Sequence, residues 1–137
     1  MTQRASERSG QIALLVHSKM NALLQYQSAL KAAGFTVVIA RDLAAALLAM
    51  TDHCLELAIV LEDLKESGDG WPLAAVLRMG FPEATVCVLT PSEPDVLTIQ
   101  SAINYGVPHT YELSLPPLEV ITSLLELRNS PAGDIPS

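Results

Sequence analysis

From residue 11 to residue 128, short runs of consecutive apolar residues alternate with segments in which apolar residues return every three or four positions. The runs are QIALLVH (11–17), FTVVIA (35–40), LELAIVL (55–61), ATVCVLT (84–90) and HTYEL (109–113). Rich in Val, Ile and Leu and apolar at adjacent positions, they predict strands buried on both faces. The intervening segments predict helices. Leu23, Tyr26, Leu30 and Ala33 fall at helical spacing across 19–33, and Gly34 follows as a terminator. Asp42 is placed to cap an Ala- and Leu-rich helix reaching about Met50. Pro72 suits the first turn of a helix that runs to about Met79. SEPD (92–95) opens a helix through Tyr105 that ends at Gly106, and Pro116-Pro117 opens the last one, to residue 128.

Strand and helix thus alternate five times, which predicts one doubly wound α/β domain over residues 11–128. Residues 1–10 and 129–137 lack periodicity and are expected to be flexible tails. Ligands and chemistry in such a fold gather at the carboxyl ends of the strands, beside the point where the strand order reverses. Those ends are Val16-His17-Ser18, Glu62-Asp63, Thr90-Pro91 and Leu113-Ser114. The most pointed is LAIVLEDLKESGDGWPL (57–73), where a buried strand stops on two carboxylates. Acids in that position cost free energy unless something pairs with them.

Composition narrows the candidates. The 137 residues carry a formal charge of -7, and two of the eight basic residues, Arg4 and Arg8, lie in the leader. Too few cations remain to line a groove for nucleic acid, so a protein partner is expected. No apolar stretch is long enough to span a membrane and none opens the chain as a signal peptide would, so a cytoplasmic setting is expected. Cys54 and Cys87 adjoin apolar runs without metal-ligand spacing and are expected as buried reduced thiols. His17, His53 and His109 have no zinc spacing either. The first strand is followed by VHSKMN in place of a glycine-rich phosphate loop, and the chain has one tryptophan, so flavin or cobalamin binding has little support.

The punctuation of the whole domain resembles a receiver domain, the phosphoacceptor module of two-component response regulators. The pieces are AGF after the first helix, ARDLAAAL through the second, DGW before the third, Thr90 closing the fourth strand and NYGV after the fourth helix. The resemblance implies the strand order 2-1-3-4-5. It also implies a pocket in which two acids and an aspartate bind magnesium, the aspartate takes the phosphoryl group, and a hydroxyl and a lysine contact it. Here the acidic pair is His17 and Ser18, and counting back from Asp69 puts Glu62 in the acceptor position, with Asp63 as the alternative. Thr90 matches the hydroxyl, whereas the lysine register falls at Leu113 and the last lysine of the chain is Lys65. These exchanges predict a degenerate pocket, a pseudo-receiver, that binds no magnesium and has no ordinary phosphorelay chemistry.

Three roles are open to Glu62: a mimic of the phosphorylated state, a partner for His17, or a solvated acid at the rim. The resemblance further implies signalling through the fourth helix, fifth strand and fifth helix. There Val96, Ile99 and Ile103 form one stripe expected to face the core, while Leu97, Tyr105 and Tyr111 are candidates for a partner surface. The expected function is a non-enzymatic, stand-alone module that binds a kinase, a regulator or itself, including as a homodimer. The alternative is an atypical receiver still phosphorylated on Glu62 or Asp63.

Overall fold

The computed structural model describes residues 11–17, 20–64, 70–91, 95–107 and 109–129. Five parallel strands form one sheet: β1 (Ile12–Val16), β2 (Thr36–Ala40), β3 (Leu57–Leu61), β4 (Thr85–Thr90) and β5 (His109–Glu112), in the order β2-β1-β3-β4-β5. Every residue of β1 and β3 is buried, and β4 is buried from Val86 onward. Continuous apolar runs therefore belong to the central strands, which have helices on both faces. Burying one such Leu, Ile or Val contributes roughly 1.5–3 kcal/mol against the entropy of ordering the chain.

Helix α1 (Met20–Ala32) buries Leu23, Tyr26 and Leu30, and the chain leaves it through Gly34 at φ 98°. Helix α2 (Leu43–Asp52) starts where Asp42 accepts a hydrogen bond from the Ala45 amide at 2.9 Å. It buries only Ala46 and Ala49 and leaves Leu47 and Leu48 exposed. Helix α3 (Gly70–Gly80) buries Trp71, Leu73, Ala74 and Leu77. Helix α4 (Val96–Tyr105) is capped by Asp95, which accepts from the Thr98 amide at 2.9 Å, and closed by Gly106 at φ 69°. Helix α5 (Pro117–Asn129) buries Val120, Ile121 and Leu124 and packs beside α1. Thr98 holds the Asp95 carboxyl below its usual range through hydrogen bonds from its amide and its hydroxyl.

Most predicted boundaries hold to within two residues, but α3 begins at Gly70, so Pro72 is its third residue. The tails, and residues 92–94 of the SEPD helix start, lie outside the described residues. Two expectations are corrected. Cys54 is exposed, because β3 begins at Leu57 and leaves it in the preceding loop; Cys87, inside β4, is buried. The α4 stripe does not face a core: Val96, Ile99 and Ile103 are 79%, 52% and 68% exposed, and α4 has no buried residue. Its neighbour β5 is a four-residue edge strand, so the sheet ends beneath the helix, which packs mainly on α3. Among the described residues no helix is long and apolar enough to cross a membrane.

Candidate functional site

The strand order reverses between β1 and β3, and the candidate pocket lies where those two strands end. Glu62 follows β3 directly and is fixed on both sides of its backbone. Its N–H donates to the Leu89 carbonyl at 2.8 Å, and its own carbonyl accepts from the Gly70 amide at 2.7 Å. The side chain completes the anchorage, with the indole N–H of buried Trp71 donating to Glu62 Oε2 at 2.9 Å. Helix α3 therefore begins against the end of β3. Only glycine permits this approach. A Cβ on Gly70 would strike the Leu61 carbonyl oxygen and stand 2.9 Å from Val60 Cγ1.

Trp71 is the site residue that sequence reasoning missed. The available signal was a Gly-Trp-Pro opening of the third helix, nine residues beyond Glu62. An indole N–H is a donor without acceptor capacity, so a half-buried carboxylate is a natural partner for it. The bond answers the problem posed by an acid at the end of a buried strand.

His17 is buried, and its backbone N–H donates to the Ala40 carbonyl at 3.2 Å. The β1–β3 register pairs Val16 with Val60, so His17 stands level with Leu61, one step short of Glu62. The carboxylate of Glu62 accepts a hydrogen bond from the Trp71 indole. Glu62 is accordingly not a freely solvated rim acid. Asp63, one residue further on, is exposed. Ser18 and residues 65–69, including Lys65 and Asp69, lie outside the described residues.

On the other flank, Thr90 is buried at the end of β4, and its hydroxyl donates to the Tyr111 carbonyl at 3.4 Å. Leu113 puts a partly buried aliphatic group, packed on the core, at the register where the resemblance calls for lysine; its amide donates to the Thr90 carbonyl at 2.7 Å. Among the described residues the donor set does not fit magnesium. That ion needs several hard oxygen ligands in octahedral array, whereas the described residues of the strand ends are an imidazole, an indole-bound carboxylate, the exposed carboxylate of Asp63, a hydroxyl and an aliphatic chain. Among the described residues no three or more His, Cys, Asp or Glu groups could hold a metal ion.

The candidate partner residues sit on α4 and β5. Leu97 and Tyr105 are 76% and 39% exposed on α4. Tyr111 is half-buried and committed within the fold, its hydroxyl 2.9 Å from Ser123 Oγ of α5. Beside α4 runs a groove of about 510 Å³ lined by Ile99, Ala102, Ile103, Val107, Thr110 and Arg78. His109, at the start of β5, has its pKa lowered by burial and secondarily by the Arg78 charge.

No protein-family model matches the chain, and no curated protein matches it. Solved structures do. A CheY-like response regulator receiver domain protein from Methanospirillum hungatei superposes with a TM-score of 0.77 at 17% identity, covering 87% of this chain and 94% of that one. The signal receiver domain of an HD domain-containing protein from Pseudomonas fluorescens gives 0.73 at 28% identity, over 88% and 98%. A response regulator from Burkholderia pseudomallei, whose structure holds a phosphorylated aspartic acid and a calcium ion, gives 0.73 at 21% identity, over 92% and 75%. The class these features define is the CheY-like receiver fold of response regulators, a flavodoxin-like sheet ordered 2-1-3-4-5.

Proposed function

We propose that the protein is a pseudo-receiver of two-component signalling, a cytoplasmic, non-catalytic module that acts by binding another protein and not by accepting a phosphoryl group on the usual aspartate. The observation that carries this reading is the Trp71–Glu62 hydrogen bond at 2.9 Å. It occupies the side chain at the acceptor register, in a pocket where histidine and leucine stand at positions that the family fills with an acid and a lysine. Phosphoryl transfer needs cations or hydrogen-bond donors aimed at the charge that develops on the phosphoryl oxygens. Buried His17 and aliphatic Leu113 are poor substitutes for a magnesium-binding acid and a lysine. The exposed apolar residues of α4 supply the binding surface, and the partner is a kinase, a regulator or a second copy.

A second reading keeps phosphorylation, on Glu62 or on Asp63; the exposure of Asp63 favours the latter position. Incubation with acetyl phosphate and magnesium, followed by intact mass measurement, separates the two. The expected result is an unchanged mass. A stoichiometric gain of one phosphoryl group overturns the proposal, and its loss in Asp63→Asn or Glu62→Gln identifies the acceptor.

A further inference from the structure

Helix α2 is apolar on the outside as well as the inside. Its core side carries Ala46 and Ala49, and its outer side carries Ala44, Leu47, Leu48 and Thr51, all exposed and spaced i, i+3, i+4, i+7. From Leu43 to Thr51 it has no charged residue. Helix α3 repeats the arrangement, with Pro72, Val76 and Met79 forming an exposed stripe outside its buried residues. The two helices touch: Met50 Cε of α2 lies 3.2 Å from the point that a Cβ on Gly80 would occupy. The charged residue of α3, Arg78, belongs to the other flank. Its guanidinium lies 3.9 Å from where a Cβ on Gly106 would stand, in the seam with α4. The outer side of a surface helix is ordinarily polar, and a contiguous apolar patch marks an interaction site.

The occupant follows from charge and shape. Nucleic acid and anionic lipid need several cations, which the two stripes do not supply. Homodimer interfaces are more apolar than those of transient complexes. Helix α2 is also complementary to itself, small at its start with Ala44 and large a turn later with Leu47 and Leu48. A two-fold axis perpendicular to the helix sets it antiparallel to its copy, so that at a shallow crossing angle Leu48 packs into the gap at the second copy's Ala44. Counting outward from that pairing brings Asp52 level with the second copy's Arg41, cation to anion at both ends, and both residues are exposed. Asp42 is taken up by the helix cap. We infer that the protein pairs with a second copy of itself through α2, antiparallel, with the Val76 and Met79 stripe of α3 closing the flank. The pairing rests on α2 and the outer side of α3 and not on the pocket, so it holds or fails independently of phosphoryl uptake.

Sedimentation equilibrium of the full chain is expected to show a dimer. Leu48→Glu removes a central anchor and is expected to weaken it at least roughly thirtyfold while the circular dichroism stays native. Leu118→Glu, at an exposed position on α5, is expected to leave it unchanged. Charge exchange reads the register directly. Arg41→Glu and Asp52→Arg should each weaken the dimer roughly tenfold, and the two combined in one chain should restore it. Within one chain these residues stand at opposite ends of a ten-residue helix, about 15 Å apart, so the recovery comes from contact between copies. The inference is overturned if the chain sediments as a monomer, if Leu48→Glu leaves the dimer intact, if Leu118→Glu disperses it as Leu48→Glu does, or if the double variant associates no better than the single ones.

Discussion

The junction of β3 with α3 and the helix α4 are built from similar residues and treated in opposite ways. At the junction, Trp71 is buried, Gly70 lies against the Leu61 carbonyl, and the amide, carbonyl and carboxylate of Glu62 are all bonded within a few residues of the strand end. Along α4, which has no charged residue, none of the apolar side chains is buried. A solvated helix without functional demands is ordinarily polar on its outer face. The chain bonds the end of β3 into its interior and leaves the apolar side chains of α4 in contact with solvent. Substitutions at the two places should therefore read out differently: stability at the junction, binding at α4.

The largest effect is expected from Gly70→Ala. The new methyl group meets a backbone carbonyl that can yield only if β3 or α3 shifts, which costs about 3 kcal/mol, the upper end for overpacking a close-packed interior. Urea unfolding followed by circular dichroism measures it. A change below about 1 kcal/mol, the usual scale for an unexceptional site, would mean that the junction gives way easily and that the two regions differ less than described.

Next in size is Trp71→Phe. Phenylalanine keeps most of the ring packing and removes the N–H, leaving a half-buried carboxylate without its donor. Removing one partner of such a bond costs about 2 kcal/mol, whereas Glu62→Gln, which retains an acceptor oxygen, should cost under about 1 kcal/mol. Equal losses in the two variants would show that Trp71 contributes packing and that the hydrogen bond adds nothing. Trp71 is the one tryptophan of the chain, so its emission in Glu62→Gln reports the same site independently.

Much of the fold was legible along the chain for reasons now visible. The central strands read as unbroken apolar runs because helices cover both faces, and Asp42, Gly34 and Gly106 mark helix ends through caps and positive φ angles that act locally. The strand end that carries Glu62 was legible from the punctuation that leads back from Asp69. Its wiring was not. A strand-end acid and a histidine one strand away suggest a pair; the register sets His17 level with Leu61, and the start of α3 brings to Glu62 an indole nine residues downstream. Nor could periodicity show that the α4 stripe is exposed. A 3.6-residue repeat shows which apolar residues share a side of a helix; whether a sheet lies beneath them depends on β5 being short and at the edge.

The smallest expected effect tests that last point. Replacing Leu97 and Ile103 together by serine removes apolar groups already mostly in water, and serine ranks close to isoleucine in helix propensity. Stability should change by no more than about 0.5 kcal/mol, the range of surface substitutions without a special role. The matched control is Ile121→Ser on α5, a fully buried position, where the lost side chain and the introduced hydroxyl should together cost at least about 3 kcal/mol. Both are read from urea midpoints with the slope unchanged. If the α4 pair costs as much as the α5 control, its apolar residues cover the core and are not available to a partner. If it costs nothing, the apolar surface of α4 contributes nothing to the fold and is free to serve recognition.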